Sequence, residues 1–283
     1  MRHLSSPKLT QQQAEQLAEG VITRLKFSSL PINPSEIAKK NGLMVKAMSL
    51  TEPGISGVFM KTGDNFGIGY STRIKNDGFI NFTIAHELGH YFLPGHVDYL
   101  FCDGQTIHYS KGEFLSTDPH EKEADYFAAA LLMPKLLFVP AMRTAGKGFA
   151  AINHLKTLCQ TSLTATAIRY AAFAEDPVAI IMSAGNCVEF CLISESLKEV
   201  RGVSGLSKGT FLPEGTPTAK FNANPNHAGS CDSVAAYVSL DDWFEGAPQV
   251  EMNEDVAGLG GYGRTLTVIF TDKEIDDDER DSP

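Results

Sequence analysis

Two histidines four residues apart, His86 and His90, with Glu87 directly after the first, constrain this chain more than any other stretch. Phe82, Ala85, Leu88 and Phe92 recur at spacings of three and four, and Pro94-Gly95 supplies a stop, so the segment predicts an amphipathic helix. At 3.6 residues per turn, side chains at i and i+4 stand one turn apart on one face, close enough for two imidazoles to reach a single cation. Glu87 then sits beside the first imidazole and can address a water on that cation without being a ligand. Zinc lowers the pKa of its water to about 7, and a neighbouring carboxylate can take that proton and later pass it to a leaving amine. The pattern predicts peptide-bond hydrolysis by a zinc-activated water, with His86 and His90 as ligands and Glu87 as general base and acid. The plain alternative is an amphipathic helix with two histidines on its wet face, and a third ligand would decide between them.

Three residues compete for that third position. His96 lies six residues after His90, where extended zincin motifs place a third histidine, but the glycine that should turn the chain arrives late, at Gly95. The rivals are Glu121 and Glu123, in a stretch that reads as a second helix: Asp118 as N-cap, Pro119 at the first helical position, a run of alanines and leucines, then Pro134. Glu121 and Asp125 are i and i+4 on it, a like-charge pair that costs roughly a few tenths of a kcal/mol unless a cation or imidazole lies between them. A metal face would explain the pair, with Glu121 on zinc and Asp125 accepting the second ring N–H of a ligand histidine. Glu123 points about 200° away from Glu121 around the helix. A capping box between Asp118 and Glu121 is the structural alternative.

The run Phe82-Thr83-Ile84-Ala85-His86-Glu87-Leu88-Gly89-His90-Tyr91-Phe92, followed by Glu121-Lys122-Glu123-Ala124-Asp125-Tyr126-Phe127-Ala128 and Leu131-Leu132-Met133-Pro134, resembles the ImmA/IrrE-type metallopeptidases. Upstream, Pro31 to Ala38, Gly42-Leu43 and Ile55-Ser56-Gly57 resemble that family's N-terminal part, so the likeness covers roughly residues 10 to 175. The resemblance implies a zinc endopeptidase, with one Zn²⁺ per chain, that in several relatives cleaves a helix-turn-helix transcriptional repressor. It also implies Glu121 as the acid ligand, because the family's acid lies four residues before the Asn or Asp of the second motif. The loop between the two motifs is longer here than the pattern suggests.

The rest of the chain predicts α+β architecture: a zincin-like N-terminal metallopeptidase domain over 1–176, with a helix-turn-helix-like extension from about 135, then an acidic β-rich or α+β domain over 177–283. Helices are expected at 9–26 and 34–40, and strands at 45–48, 56–61 and 66–71, the last two joined by Thr62-Gly63-Asp64-Asn65. The hairpin Ile55 to Tyr70 is the expected substrate-side wall, where an exposed edge could hold an extended peptide. Helices around 149–158 and 163–173 outline a helix-turn-helix, but Arg169 is the one base on the would-be recognition helix, so packing beneath the catalytic helices is the preferred reading and DNA binding is not expected. Four strands are expected after 177, at 178–182, 188–193, 235–240 and 264–270.

From 177 onward there are 18 acidic and 7 basic residues, against 16 and 17 before it, so the net charge of −10 is entirely C-terminal. Such a module repels nucleic acid and suits a basic partner, a repressor included, as a sensor or docking element, while Asp276 to Glu279 reads as a solvated tail. Five cysteines without zinc-ribbon spacing, no signal-like segment and no long apolar run point to a cytoplasmic protein with no membrane association. Tyr109, Tyr126 and His108 are candidates to stabilise an oxyanion. The competing class of function is a metal-containing regulator that binds a partner without turnover.

Overall fold

Thr10 starts the first helix with a capping box, its hydroxyl accepting from the Gln13 amide while the Gln13 side chain accepts from the Thr10 amide. The computed structural model describes residues 8–111, 117–260, 263–271, 273 and 275; the acidic run 276–279 lies outside the described residues. The chain is mixed α+β. In order come α1 (Gln11–Arg24), α2 (Pro34–Lys40), β1 (Met44–Met48), β2 (Ile55–Thr62), β3 (Asn65–Ser71), α3 (Asp77–Phe92), α4 (His96–Leu100), β4 (Ile107–Lys111), α5 (Pro119–Leu132) and α6 (Lys135–Ala145). There follow α7 (Gly148–Cys159), α8 (Leu163–Phe173), β5 (Val178–Ala184), β6 (Cys187–Ile193), α9 (Glu195–Lys198), α10 (Pro217–Asn222), α11 (Pro225–Ala228), β7 (Ser233–Ser239), α12 (Leu240–Trp243), β8 (Glu251–Gly258) and β9 (Thr265–Phe270). Among the described residues, packing divides the chain into two units, one running to Ala141 and including Lys156–Ser162, the other made of Met142–Leu155 and the chain from Leu163 on.

The first unit holds a sheet in the order β1-β3-β2-β4, with β1 parallel to β3 and the other pairs antiparallel. Gly63 at φ +59° takes the first position of the two-residue β2–β3 loop, where a type II′ turn needs glycine. Helix α3 packs on β2 and β3, α5 packs on α3, and α1 covers α5. The core between them is Ile37, Phe59, Ile68, Ile84, Leu88, Phe127 and Leu131, all within 2% of full burial. The hairpin expected as the substrate-side wall is interior, because β2 spends both of its edges on β3 and β4 and β3 spends both of its edges on β1 and β2. A peptide could add only at β1 or β4. The connection between α7 and α8 seats the start of α3: Asn81 Nδ2 donates to the Gln160 carbonyl at 3.1 Å. A Cβ on Gly78 would lie 2.5 Å from the Thr161 carbonyl carbon, so that approach requires glycine.

The second unit is an antiparallel sheet in the order β6-β5-β9-β8-β7. Its central strands β5 and β9 are buried along nearly their whole length, which requires cover on both faces. Ala179, Ile181 and Ile269 face a core with Leu197, Leu240, Trp243 and Met252. On the other face the Phe149 amide donates to Asp255 at 3.0 Å, and a Cβ on Gly148 would stand 2.3 Å from the Phe270 ring. Helix α8 packs on β5 and β6. Arg169 is buried on α8 with its guanidinium 4.5 Å from the Phe173 ring centroid, so the base that a DNA-binding reading needs is turned inward. No single helix among the described residues is long and apolar enough to cross a membrane.

Sequence patterning does not reveal β8, because an acid stands in a core-facing slot: Met252, Glu254 and Val256 share the buried face. Glu254 Oε1 accepts from the Thr218 amide and hydroxyl, each at 2.6 Å, and Oε2 accepts from the Trp243 indole N–H at 2.7 Å. Burial still raises its carboxyl pKa, against the lowering effect of those bonds. Replacement of Glu254 by Leu strands the buried Thr218 amide and Trp243 indole N–H and is expected to destabilise the chain by roughly 3 kcal/mol, read as a lower urea midpoint at unchanged slope.

Candidate metal centre

Gly89 allows α3 and α5 to cross closely: a Cβ there would lie 3.0 Å from Ala124 Cα and 3.2 Å from its carbonyl oxygen. That crossing faces the His86/His90 stripe of one helix toward the Glu121/Asp125 stripe of the other. His86 Nε2 lies 3.1 Å from His90 Nε2 and 3.2 Å from Glu121 Oε2, and His90 Nε2 lies 3.3 Å from Glu121 Oε1. His86, His90 and Glu121 thus form a candidate metal-binding triad, with both histidines buried and Glu121 half-buried. The Asp118 side chain caps α5 through the His120 amide at 2.8 Å, and the Glu121 carboxylate is taken up by the three imidazoles of His86, His90 and His108. The capping-box alternative for Glu121 therefore finds no counterpart in the geometry.

Electrostatics follow from that crowding. Desolvation of Glu121 would raise its pKa, yet hydrogen bonds from His108, His86 and His90 outweigh it and hold the carboxyl well below the usual range. Burial alone would depress His86, but the carboxylates of Asp125 and Glu121 reverse that and favour positive charge there. For His90 desolvation wins, pushing the imidazole down to about 3 and keeping it neutral. Asp125 Oδ1 sits 2.8 Å from His86 Nδ1, on the far side of the ring from the triad.

Glu87 is fully buried, and neither carboxylate oxygen has a hydrogen-bond partner. Desolvation pushes its pKa up to about 7 despite the lowering influence of His86. The buried Thr83 hydroxyl also lacks a partner, while Ser110, buried without a well-formed bond, lies close enough to add a lowering influence on Glu87. A Cβ on Gly57 would stand 2.2 Å from Glu87 Oε1 and 2.7 Å from Thr83 Cγ2, so only glycine leaves room for this carboxylate against β2. Ser110 is the β4 residue directly across from Gly57.

His108 is the one proposed oxyanion stabiliser that touches the cluster, with Nε2 3.1 Å from Glu121 Oε1 and its ring centroid 5.0 Å from that of His90. Strand alternation sends Tyr109 to the other face, where it is 51% exposed, and Tyr126 is half-buried beside Asp125. His96 and Glu123 do not join the triad. They bond each other, His96 Nε2 to Glu123 Oε2 at 3.0 Å, behind His90. In sequence both look like rival ligands, and neither their pairing nor the buried Ser110 and the space at Gly57 is visible there. Period-two alternation on β4, which puts His108 and Ser110 on one face, was the available signal.

Among curated proteins, none matches this sequence. Among solved structures, the fold is similar to that of a Mycobacterium tuberculosis transcriptional regulator, with a TM-score of 0.57 at 16% identity over 91% of this chain and 76% of that one. Residues 38–169 match the family model of the IrrE N-terminal-like domain, a span that contains the triad, Glu87 and Asp125. The model is that of the Peptidase_M78 family, and the match agrees with the resemblance of the two helical motifs.

Proposed function

We propose that the chain is a regulatory zinc endopeptidase with a zincin-like catalytic part, in which His86, His90 and Glu121 hold one Zn²⁺ and Glu87 acts as general base and acid. The observation that carries this reading is the orphaned, fully buried Glu87 carboxylate beside a triad with three close ligand atoms. The two Nε2 atoms lie 3.1 Å apart, one Glu121 oxygen is 3.2 Å from His86 and the other 3.3 Å from His90, and one ligand atom from each residue falls within 4.8 Å of the others, which supports a small cation. A tetrahedral ion with bonds of 2.0–2.1 Å spaces its ligands about 3.3 Å apart. Both buried imidazoles and the carboxylate suit a borderline cation that accepts nitrogen and oxygen.

Bound there, zinc supplies Lewis acidity, acidifying a water and polarising a peptide carbonyl. Glu87, whose metal-free pKa near 7 leaves it able both to take and to return a proton, accepts the water's proton at Oε and delivers it to the departing amine nitrogen. Asp125 accepts the Nδ1 proton of His86 and so leaves the Nε2 lone pair for the metal. His108, tied to Glu121 through Nε2, is the candidate donor to a developing oxyanion. The free edge of β4 offers an extended substrate backbone partners beside that site.

The substrate is proposed to be a partner protein such as a helix-turn-helix transcriptional repressor, acting in the cytoplasm. The acidic part from 177 on serves as sensor or docking surface for a basic partner. A second reading, a metal-containing regulator that binds its partner without turnover, is favoured by the shared fold with a protein described as a transcriptional regulator. Glu87 separates the two.

Metal analysis is expected to find one zinc per chain in the wild type and in Glu87→Gln. If a neighbouring gene encodes a helix-turn-helix repressor, incubation with it is expected to give cleavage by the wild type alone, while zinc-free wild type or undiminished cleavage by Glu87→Gln overturns the proposal. Regulation left intact in Glu87→Gln would favour the second reading. Gly57→Ala is expected to keep its zinc and lose at least about tenfold in turnover, because the new methyl displaces the Glu87 carboxylate; a tenfold loss corresponds to about 1.4 kcal/mol in the barrier.

A further inference from the structure

We infer that His96 and Glu123 are positioning residues that fix the ring orientation and tautomer of His90 through a hydrogen-bonded relay running away from the metal. The inference rests on the proposed zinc site and concerns residues outside the triad. His96 is fully buried and Glu123 is 4% exposed, which is costly for such groups unless each is bonded. Each is: His90 Nδ1 lies 3.0 Å from His96 Nδ1, His96 Nε2 lies 3.0 Å from Glu123 Oε2, and Glu123 Oε1 accepts from the Leu9 amide at 3.0 Å.

Donor and acceptor roles then propagate in one direction. An ionised Glu123 only accepts, so His96 Nε2 carries the proton of that contact. A neutral His96 consequently has its lone pair on Nδ1, so the shared proton between the two rings belongs to His90 Nδ1. A neutral His90 in that tautomer has its lone pair on Nε2, the atom that faces His86 Nε2 at 3.1 Å and Glu121 Oε1 at 3.3 Å. The relay thus prepares the only His90 nitrogen that can reach a shared ion.

The two ligand histidines are served differently for a geometric reason. His86 meets its carboxylate directly, Asp125 being four residues along α5 from Glu121 and on the same face. Glu123 is about 200° around that helix from Glu121 and cannot reach the triad. It reaches His90 only through an intervening ring, which α4 supplies at its first residue, His96. The Leu9 amide anchors the other Glu123 oxygen just ahead of α1, which packs on α5.

The test is zinc affinity, measured by competition with a chromophoric chelator, together with the ligand-field spectrum of the Co²⁺-loaded chain and far-UV circular dichroism as the fold control. His96→Leu is expected to weaken zinc binding roughly 10–100-fold and to alter the cobalt bands, as loss of an outer partner does elsewhere. His96→Gln, whose amide can both accept from His90 and donate to Glu123, is expected to recover most of that loss. Wild-type zinc binding with equally tight binding by folded His96→Leu overturns the inference and leaves the metal site standing, whereas a wild type without zinc overturns both. Should His96→Leu not fold, the comparison passes to Glu123→Gln, which keeps an acceptor for His96 without the charge. Affinity between those of His96→Gln and wild type supports the relay, and affinity equal to wild type overturns it.

Discussion

The structure of the first unit turns on how closely α3 and α5 cross. Helices with ordinary side chains at the contact pack 8–10 Å apart. Here Gly89 meets Ala124, and even one methyl group on Gly89 would press to 3.0 Å from the opposing Cα. Everything at the centre depends on that approach, because the 3.1–3.3 Å separations among His86, His90 and Glu121 bridge two helices that a larger residue would wedge apart. The glycine within the histidine motif is thus a packing residue whose effect is electrostatic: it lets a carboxylate on one helix face two imidazoles on the other.

Local rules made most of this unit readable. Asn33 and Asp118 cap their helices as their positions suggest, and the i, i+4 pairs on α3 and α5 face each other because one period governs both. The illegible parts are those decided by pairing between distant segments. That β2 is interior follows from β4 joining the sheet some 50 residues later, a pairing that no window of sequence contains. The hydrophobic pattern of β8 is interrupted by Glu254, whose donors Thr218 and Trp243 come from two separate helices. Likewise His96 and Glu123 each look like a ligand in isolation; only the fold shows that they satisfy each other.

Charge distribution carries a second division. Basic and acidic residues nearly balance before 177, and the acidic excess lies beyond it, in the part of the chain built on the antiparallel sheet. A field of that sign does not select a fold, but it discourages phosphate and rewards a basic surface. With Arg169 buried, the helix that most resembles a DNA reader offers no cation on its surface.

Two buried glutamates in the same chain are accommodated in different ways. Glu254 is enclosed and fully answered: three donors converge on its two oxygens, and its environment is complete without any further atom. Glu87 is enclosed without a well-formed hydrogen bond, with Ser110 close enough to lower its pKa but not to offset desolvation, and with a glycine opposite that leaves space rather than filling it. Desolvating a carboxylate without a partner opposes folding, so a sequence selected for stability alone would place a donor there or remove the acid. The first glutamate shows that this chain satisfies a buried carboxylate where structure is the only demand. The second, a buried acid without such an arrangement, is the observation on which the proposed role of Glu87 as general base rests.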